Sequence, residues 1–108
     1  MHVRIVATIL LTMSFAQVAA ADADAALNLA KKSNCFKCHA IDRKKESTPW
    51  REIAGKYRGK PDAVEKLIFH VTSGEKVKFP DGHQEEHKIV KSKDPSEIRN
   101  LVDWILSL

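Results

Sequence analysis

Methionine is absent from this chain after Met13, and cysteine occurs only at Cys35 and Cys38. Two cysteines so close together cannot close a long loop, which excludes a disulfide scaffold. No apolar run is long enough to span a bilayer; the longest candidate, Ile5 to Phe15, falls well short of the ~18 residues required. No stretch alternates apolar and polar residues for long enough to predict a sheet of any size. Internal repeats and low-complexity linkers are missing as well. No nucleophile–base pair or distal acid–base arrangement stands out, so an enzymatic active site is not expected. Basic residues interleaved with exposed aromatics are also lacking, which argues against a nucleic-acid surface.

What is present begins with an export signal. Met1-His2-Val3-Arg4 carries one permanent positive charge, the apolar run follows, and Val18-Ala19-Ala20-Ala21 precedes the acidic Asp22 and Asp24. This layout predicts a signal peptide over residues 1–21, cleaved after Ala20 or Ala21, with no stable membrane insertion afterwards. Residues 22–108 then form a single domain, and losing Arg4 takes the formal charge from +4 to +3. Its only aromatic residues are Phe36, Trp50, Tyr57, Phe69, Phe79 and Trp104. So small a domain buries a modest share of its surface and usually needs a staple, a metal or a cofactor.

The pattern predicts an all-α fold of about four helices. Ala23 to Lys32 is rich in alanine, leucine and lysine, with Ala26, Leu27, Leu29 and Ala30 on one side. Pro49 to Tyr57 spaces Trp50, Ile53, Ala54 and Tyr57 helically. A third helix starts at Pro61, lines up Val64, Leu67, Ile68 and Val71, and stops at Gly74. The last opens on Asp94-Pro95-Ser96-Glu97, an N-cap, a first-turn proline and a capping-box glutamate. Ile98, Leu101, Val102, Ile105 and Leu108 form its stripe. Gly74 to Lys93 reads as one long irregular stretch, and a loop of that length in a small domain is usually functional.

The chemistry is concentrated in Cys35-Phe36-Lys37-Cys38-His39. Two thiols at this spacing can each add to one vinyl group of a haem, and the adjacent imidazole is brought beneath the ring to bind iron. A haem would also supply the large apolar body that the core needs. A thioredoxin-like dithiol would require a βαβ context, which is missing. A zinc site from Cys35, Cys38, His83 and His87 would need a separation far beyond the usual ligand spacing. A Cys35–Cys38 disulfide would close too small a ring to stabilise much.

The chain resembles the class I cytochromes c of bacteria over most of residues 22–108. The resemblance runs from Leu29 through Cys35 to Asp42, continues through Ile53-Ala54-Gly55-Lys56-Tyr57-Arg58-Gly59, and closes with Leu101 to Leu108. It implies a small helical fold whose first and last helices cross beside one covalent haem c. It also implies single-electron shuttling; with the export signal, this predicts a periplasmic carrier that serves a redox partner protein. Cys35 and Cys38 are the expected attachment points and His39 the proximal iron ligand.

Two departures from the family pattern matter. The proline whose carbonyl orients the proximal imidazole is missing, and the count from His39 to Tyr57 puts Thr48 at its place, with Pro49 one step later. Either carbonyl could take the Nδ1 proton of His39. The second departure is the absent methionine, the family's sixth ligand. Counting back from Trp104 puts His87 at that position; counting forward from Gly74 lands nearer His83. His87 is preferred, giving two histidine ligands, with Ile89 and Val90 anchoring its segment. His83 follows a turn, Pro80-Asp81-Gly82, and His70 lies off the apolar stripe of the third helix, as a surface or boundary residue. An open sixth site is the remaining alternative, and it would make the protein a gas-binding haem sensor instead of a carrier.

Charge is uneven. Between Lys31 and Lys60 ten basic residues face only Asp42, Glu46 and Glu52. A basic rim of this kind could steer an acidic redox partner toward the haem, whether the protein acts alone or as a subunit of a larger oxidoreductase; an ordinary solvated surface is the alternative reading.

Overall fold

A computed structural model of the chain describes Met1, residues 12–13 and residues 20–108. Most of the expected signal peptide lies outside the described residues. The described chain contains four α-helices: α1 (Ala23–Lys32), α2 (Trp50–Tyr57), α3 (Ala63–Thr72) and α4 (Pro95–Ser107). A short 3₁₀ turn, Cys35–Lys37, follows α1.

Helix α1 starts where Asp22 accepts the Ala25 N–H at 3.1 Å, satisfying one of the orphan donors of the first turn. Lys31 and Lys32 suit the negative end of its dipole. Ala26 and Ala30 are fully buried. Their small side chains let α1 pack closely on α4, whose Ile98, Leu101, Val102, Trp104 and Ile105 are buried. Asn100 and Asp22 lock the pair by two mutual hydrogen bonds of 2.8 and 2.9 Å. Trp104 meets the buried Trp50 of α2 edge to face, with ring centres 5.7 Å apart, a favoured aromatic geometry.

The start of α4 departs in one detail from the sequence expectation. Asp94 does cap the helix through the Ser96 N–H at 2.9 Å. Glu97, however, does not close a capping box. It takes the Ser92 hydroxyl at 2.6 Å, and the Asp94 N–H goes to that same hydroxyl oxygen at 3.1 Å. A nearby serine thus replaces the expected glutamate.

The stretch after α3 is also more regular than expected. β1 (Lys76–Lys78) and β2 (Gln84–Glu86) pair antiparallel, with Lys76 opposite Glu86 and Lys78 opposite Gln84. Gly82 closes the hairpin at φ +91°, a backbone region that glycine enters without strain. The strands are three residues long and nearly all polar, too short for alternation to register. After the hairpin the chain returns to the core at Val90, whose N–H reaches the Val71 carbonyl at 2.9 Å. The Lys91 N–H then bonds the Ser33 hydroxyl, also at 2.9 Å, tying this segment to the end of α1.

Candidate haem site

Asn34 turns the chain out of α1 in a left-handed conformation, φ 60°, one that asparagine tolerates better than most residues. The following 3₁₀ turn folds back on the Cys35 carbonyl, which accepts from the N–H groups of Cys38 at 3.3 Å and His39 at 3.0 Å. Cys35, Cys38 and His39 therefore come from one tight turn. They line a cavity of about 1180 Å³, together with Trp50 of α2, Leu67 and His70 of α3, and Leu101, Val102 and Ile105 of α4. Packed interiors hold few voids larger than a water molecule, and small-molecule pockets usually span about 300–1,000 Å³. This cavity suits a large, flat, mostly apolar body.

His39 is buried and stacks on Trp50, ring centres 5.5 Å apart. Its Nδ1 lies 3.0 Å from the Thr48 carbonyl, which fixes Nδ1 as the protonated nitrogen and leaves the Nε2 lone pair free. Thr48 supplies the carbonyl that the count from His39 left open between it and Pro49. Burial lowers the pKa of His39, opposed by the hydrogen bond to Thr48. The imidazole is accordingly neutral at physiological pH, the form that binds a metal ion.

Across the cavity stands His87. Its ring centre is 6.3 Å from that of His39, with the planes inclined at 57°. An imidazole nitrogen binds a first-row transition ion at about 2 Å and the ring centre lies about 1 Å farther, so two axial imidazoles on one ion have centres about 6 Å apart. The observed separation fits. Burial, then the neighbouring His70 and His39, push the pKa of His87 down to about 4, so it too is neutral at pH 7. Its Nδ1 is buried without a hydrogen-bond partner. Val90 anchors the segment, as its position in the sequence implies, but Ile89 remains largely exposed and only packs beside Gly74.

The other two histidines part company. His83 does not line the cavity. It sits at the hairpin end, stacked on Phe79 with ring centres 4.4 Å apart, its Nδ1 on Asp81 and its Nε2 2.9 Å from Glu85. His70 is a half-buried boundary residue, in keeping with the helical pattern, but it also reaches the cavity. Its ring lies 4.0 Å from that of His87, and its Nδ1 is 2.7 Å from a Glu75 carboxylate oxygen. Periodicity within α3 says only which face meets α4, whereas His70 meets a loop that is distant in sequence. Among the described residues no group of three or more His, Cys, Asp or Glu side chains is arranged to hold a bare metal ion.

The family model for cytochrome c matches residues 23–108. The chain belongs to the class I cytochromes c. Cytochrome c-552 of Nitrosomonas europaea is 34% identical over 102 residues, covering 94% of this chain and 89% of that protein. Cytochrome c-551 of Allochromatium vinosum is 32% identical, covering 86% and 96% respectively. Among solved structures, the class 1 cytochrome MtoD of Sideroxydans lithotrophicus ES-1 superposes with a TM-score of 0.78 at 61% identity, over 82% of this chain and 97% of that one. Wild-type Nitrosomonas europaea cytochrome c552 gives a TM-score of 0.59 at 29% identity, over 76% and 98%. The class I cytochrome c fold and one covalently attached haem c follow from this membership, as does an electron-carrying role. No helix among the described residues is long and apolar enough to cross a membrane.

Proposed function

We propose that this cytochrome is exported to the periplasm and passes single electrons between redox partners, its haem held by Cys35 and Cys38 and its iron by His39 and His87. The observation that carries the reading is the pair of neutral imidazoles facing each other with ring centres 6.3 Å apart across an apolar cavity. When bound, haem c supplies a one-electron iron couple.

The chain's own residues then do three things. Thr48 accepts the Nδ1 proton of His39, holding the ring in one tautomer and raising its basicity toward the metal. His87 presents a second imidazole, which favours ferric iron more than a thioether does, so the potential falls below that of methionine-ligated relatives. Trp50, Leu101 and Ile105 exclude water from the cavity wall. Lys31, Lys32 and Lys37 are exposed beside the Cys35–His39 turn, while the arginine and lysine ion pairs among the described residues engage Arg51, Lys66 and Arg99 instead. Free lysines at that rim suit an acidic redox partner. An open sixth position, as a gas sensor requires, has no such support, because a neutral imidazole stands on that side.

Redox titration of the purified holoprotein tests the reading. The oxidised spectrum is expected to lack the far-red methionine–iron band, and the potential is expected to lie below that of methionine-ligated relatives. A methionine-type band or potential would refute bis-histidine ligation.

A further inference from the structure

Glu75 grips two histidines at once. Its backbone carbonyl accepts the His87 N–H at 2.9 Å, and its Oε1 lies 2.7 Å from the Nδ1 of His70. The circuit closes where the two imidazoles meet, ring centres 4.0 Å apart and planes inclined at 42°. The facing histidine, His39, has its ring fixed by the Thr48 carbonyl. His87 has no equivalent bond, for its Nδ1 is buried without a partner. Rotation of an imidazole about its last side-chain torsion is intrinsically broad, so a ring without a hydrogen bond must be held by packing. His70, near the end of α3, supplies such packing, while His87 itself sits on the segment that follows β2.

We propose that His70, oriented by Glu75, is a positioning residue that sets the plane of the His87 imidazole at the sixth iron position. The inference rests on the reading of His87 as the sixth ligand. Ring contact on this side does what the Thr48 carbonyl does on the other. The division also accounts for the bare Nδ1 of His87: the contact that orients the ring is ring against ring, not a hydrogen bond. The angle between two axial imidazole planes governs the splitting of the ferric d orbitals, and therefore the spread of the electron-paramagnetic g values. Plane orientation is thus readable directly, apart from stability or activity.

Ferric holoprotein carrying His70→Ala, Glu75→Ala or Glu75→Gln should be compared with the unmutated protein by electron paramagnetic resonance. All are expected to remain low-spin. In His70→Ala and Glu75→Ala the g values should shift and the lines broaden. Glu75→Gln should keep the unmutated signal, because an amide oxygen still accepts the Nδ1 proton of His70. A residue that merely fills space would lower stability and leave the g values alone. Unchanged g values and line widths in His70→Ala overturn the proposal; if that variant fails to fold, unchanged values in Glu75→Ala do so. His87→Ala separates this outcome from failure of the underlying reading. If His87→Ala turns the iron high-spin while His70→Ala changes nothing, only the positioning role falls. If His87→Ala stays low-spin with unchanged g values, the ligand assignment falls and the positioning role with it.

Discussion

Thr48 lends its carbonyl, not its side chain, to the Nδ1 of His39, at 3.0 Å. A backbone acceptor survives side-chain substitution, so Thr48→Ala should leave the visible spectrum unchanged. The potential should move by less than about 20 mV, a factor of about two in a one-electron equilibrium. Potentiometric titration of the two proteins checks this; a larger shift would assign the role to the threonine hydroxyl.

The tight turn that carries both cysteines makes a second expectation concrete. Expressed with a cytochrome c maturation system, the protein should keep its colour through acid–acetone extraction. Cys35→Ala and Cys38→Ala should each weaken or abolish that retention. Haem that extracts fully from the unmutated protein would contradict attachment through these thiols.

Much of this arrangement was legible in the sequence, and the reasons differ by element. Helix α1 spans Ala23–Lys32 in both, because Asp22 and the alanine–leucine stripe are strong local signals. Helix α3, Ala63–Thr72, is shorter than the stretch from Pro61 to Gly74, because Pro61 and Asp62 form a turn ahead of it and Ser73 caps it before Gly74 at φ +67°. Ile98, Leu101, Val102 and Ile105 of the expected α4 stripe are buried, whereas Leu108 lies past the helix end and is only partly buried; Trp104, drawn inward by its contact with Trp50, was missed. The motif at Cys35-Phe36-Lys37-Cys38-His39 is contiguous and needed no fold to be seen. His87 required a count across a loop, and two counts disagreed; the three-dimensional path puts His87 on the cavity and His83 among carboxylates. His70 was read as a surface or boundary residue, which its half-burial bears out, but its contact with His87 was missed because that partner lies in a segment that no helical period connects to α3.

Core packing gives a stability prediction. Leu101 is fully buried between α1 and the cavity wall. Leu101→Ala removes three carbons from that position and should cost about 2–5 kcal/mol in denaturant unfolding of the holoprotein. A loss under about 1 kcal/mol would mean that α4 closes the gap by moving.

His83 carries a pH dependence. Its two ring nitrogens face Glu85 and Asp81, and only the imidazolium can donate to both. These bonds, Glu85 first and then Asp81, raise its pKa above the ordinary 6.5. A folded pKa above the unfolded one means that the contribution is complete below about pH 6.5 and is lost as pH rises through the folded value. Nuclear magnetic resonance titration of the reduced protein should give His83 a midpoint above 6.5, with the haem resonances unmoved. A midpoint at or below 6.5 would show that the carboxylates do not hold the ring in solution.

The sixth position bears most directly on the whole account, and carbon monoxide binding to the ferrous protein reads it. On the proposed ligation by His87, the unmutated cytochrome should bind carbon monoxide slowly or not at all. His87→Ala should bind it rapidly, with a high-spin signal before the gas is added, and His83→Ala should behave like the unmutated protein. Rapid binding by the unmutated protein would contradict the account, leaving the iron open and the cytochrome a gas-binding protein.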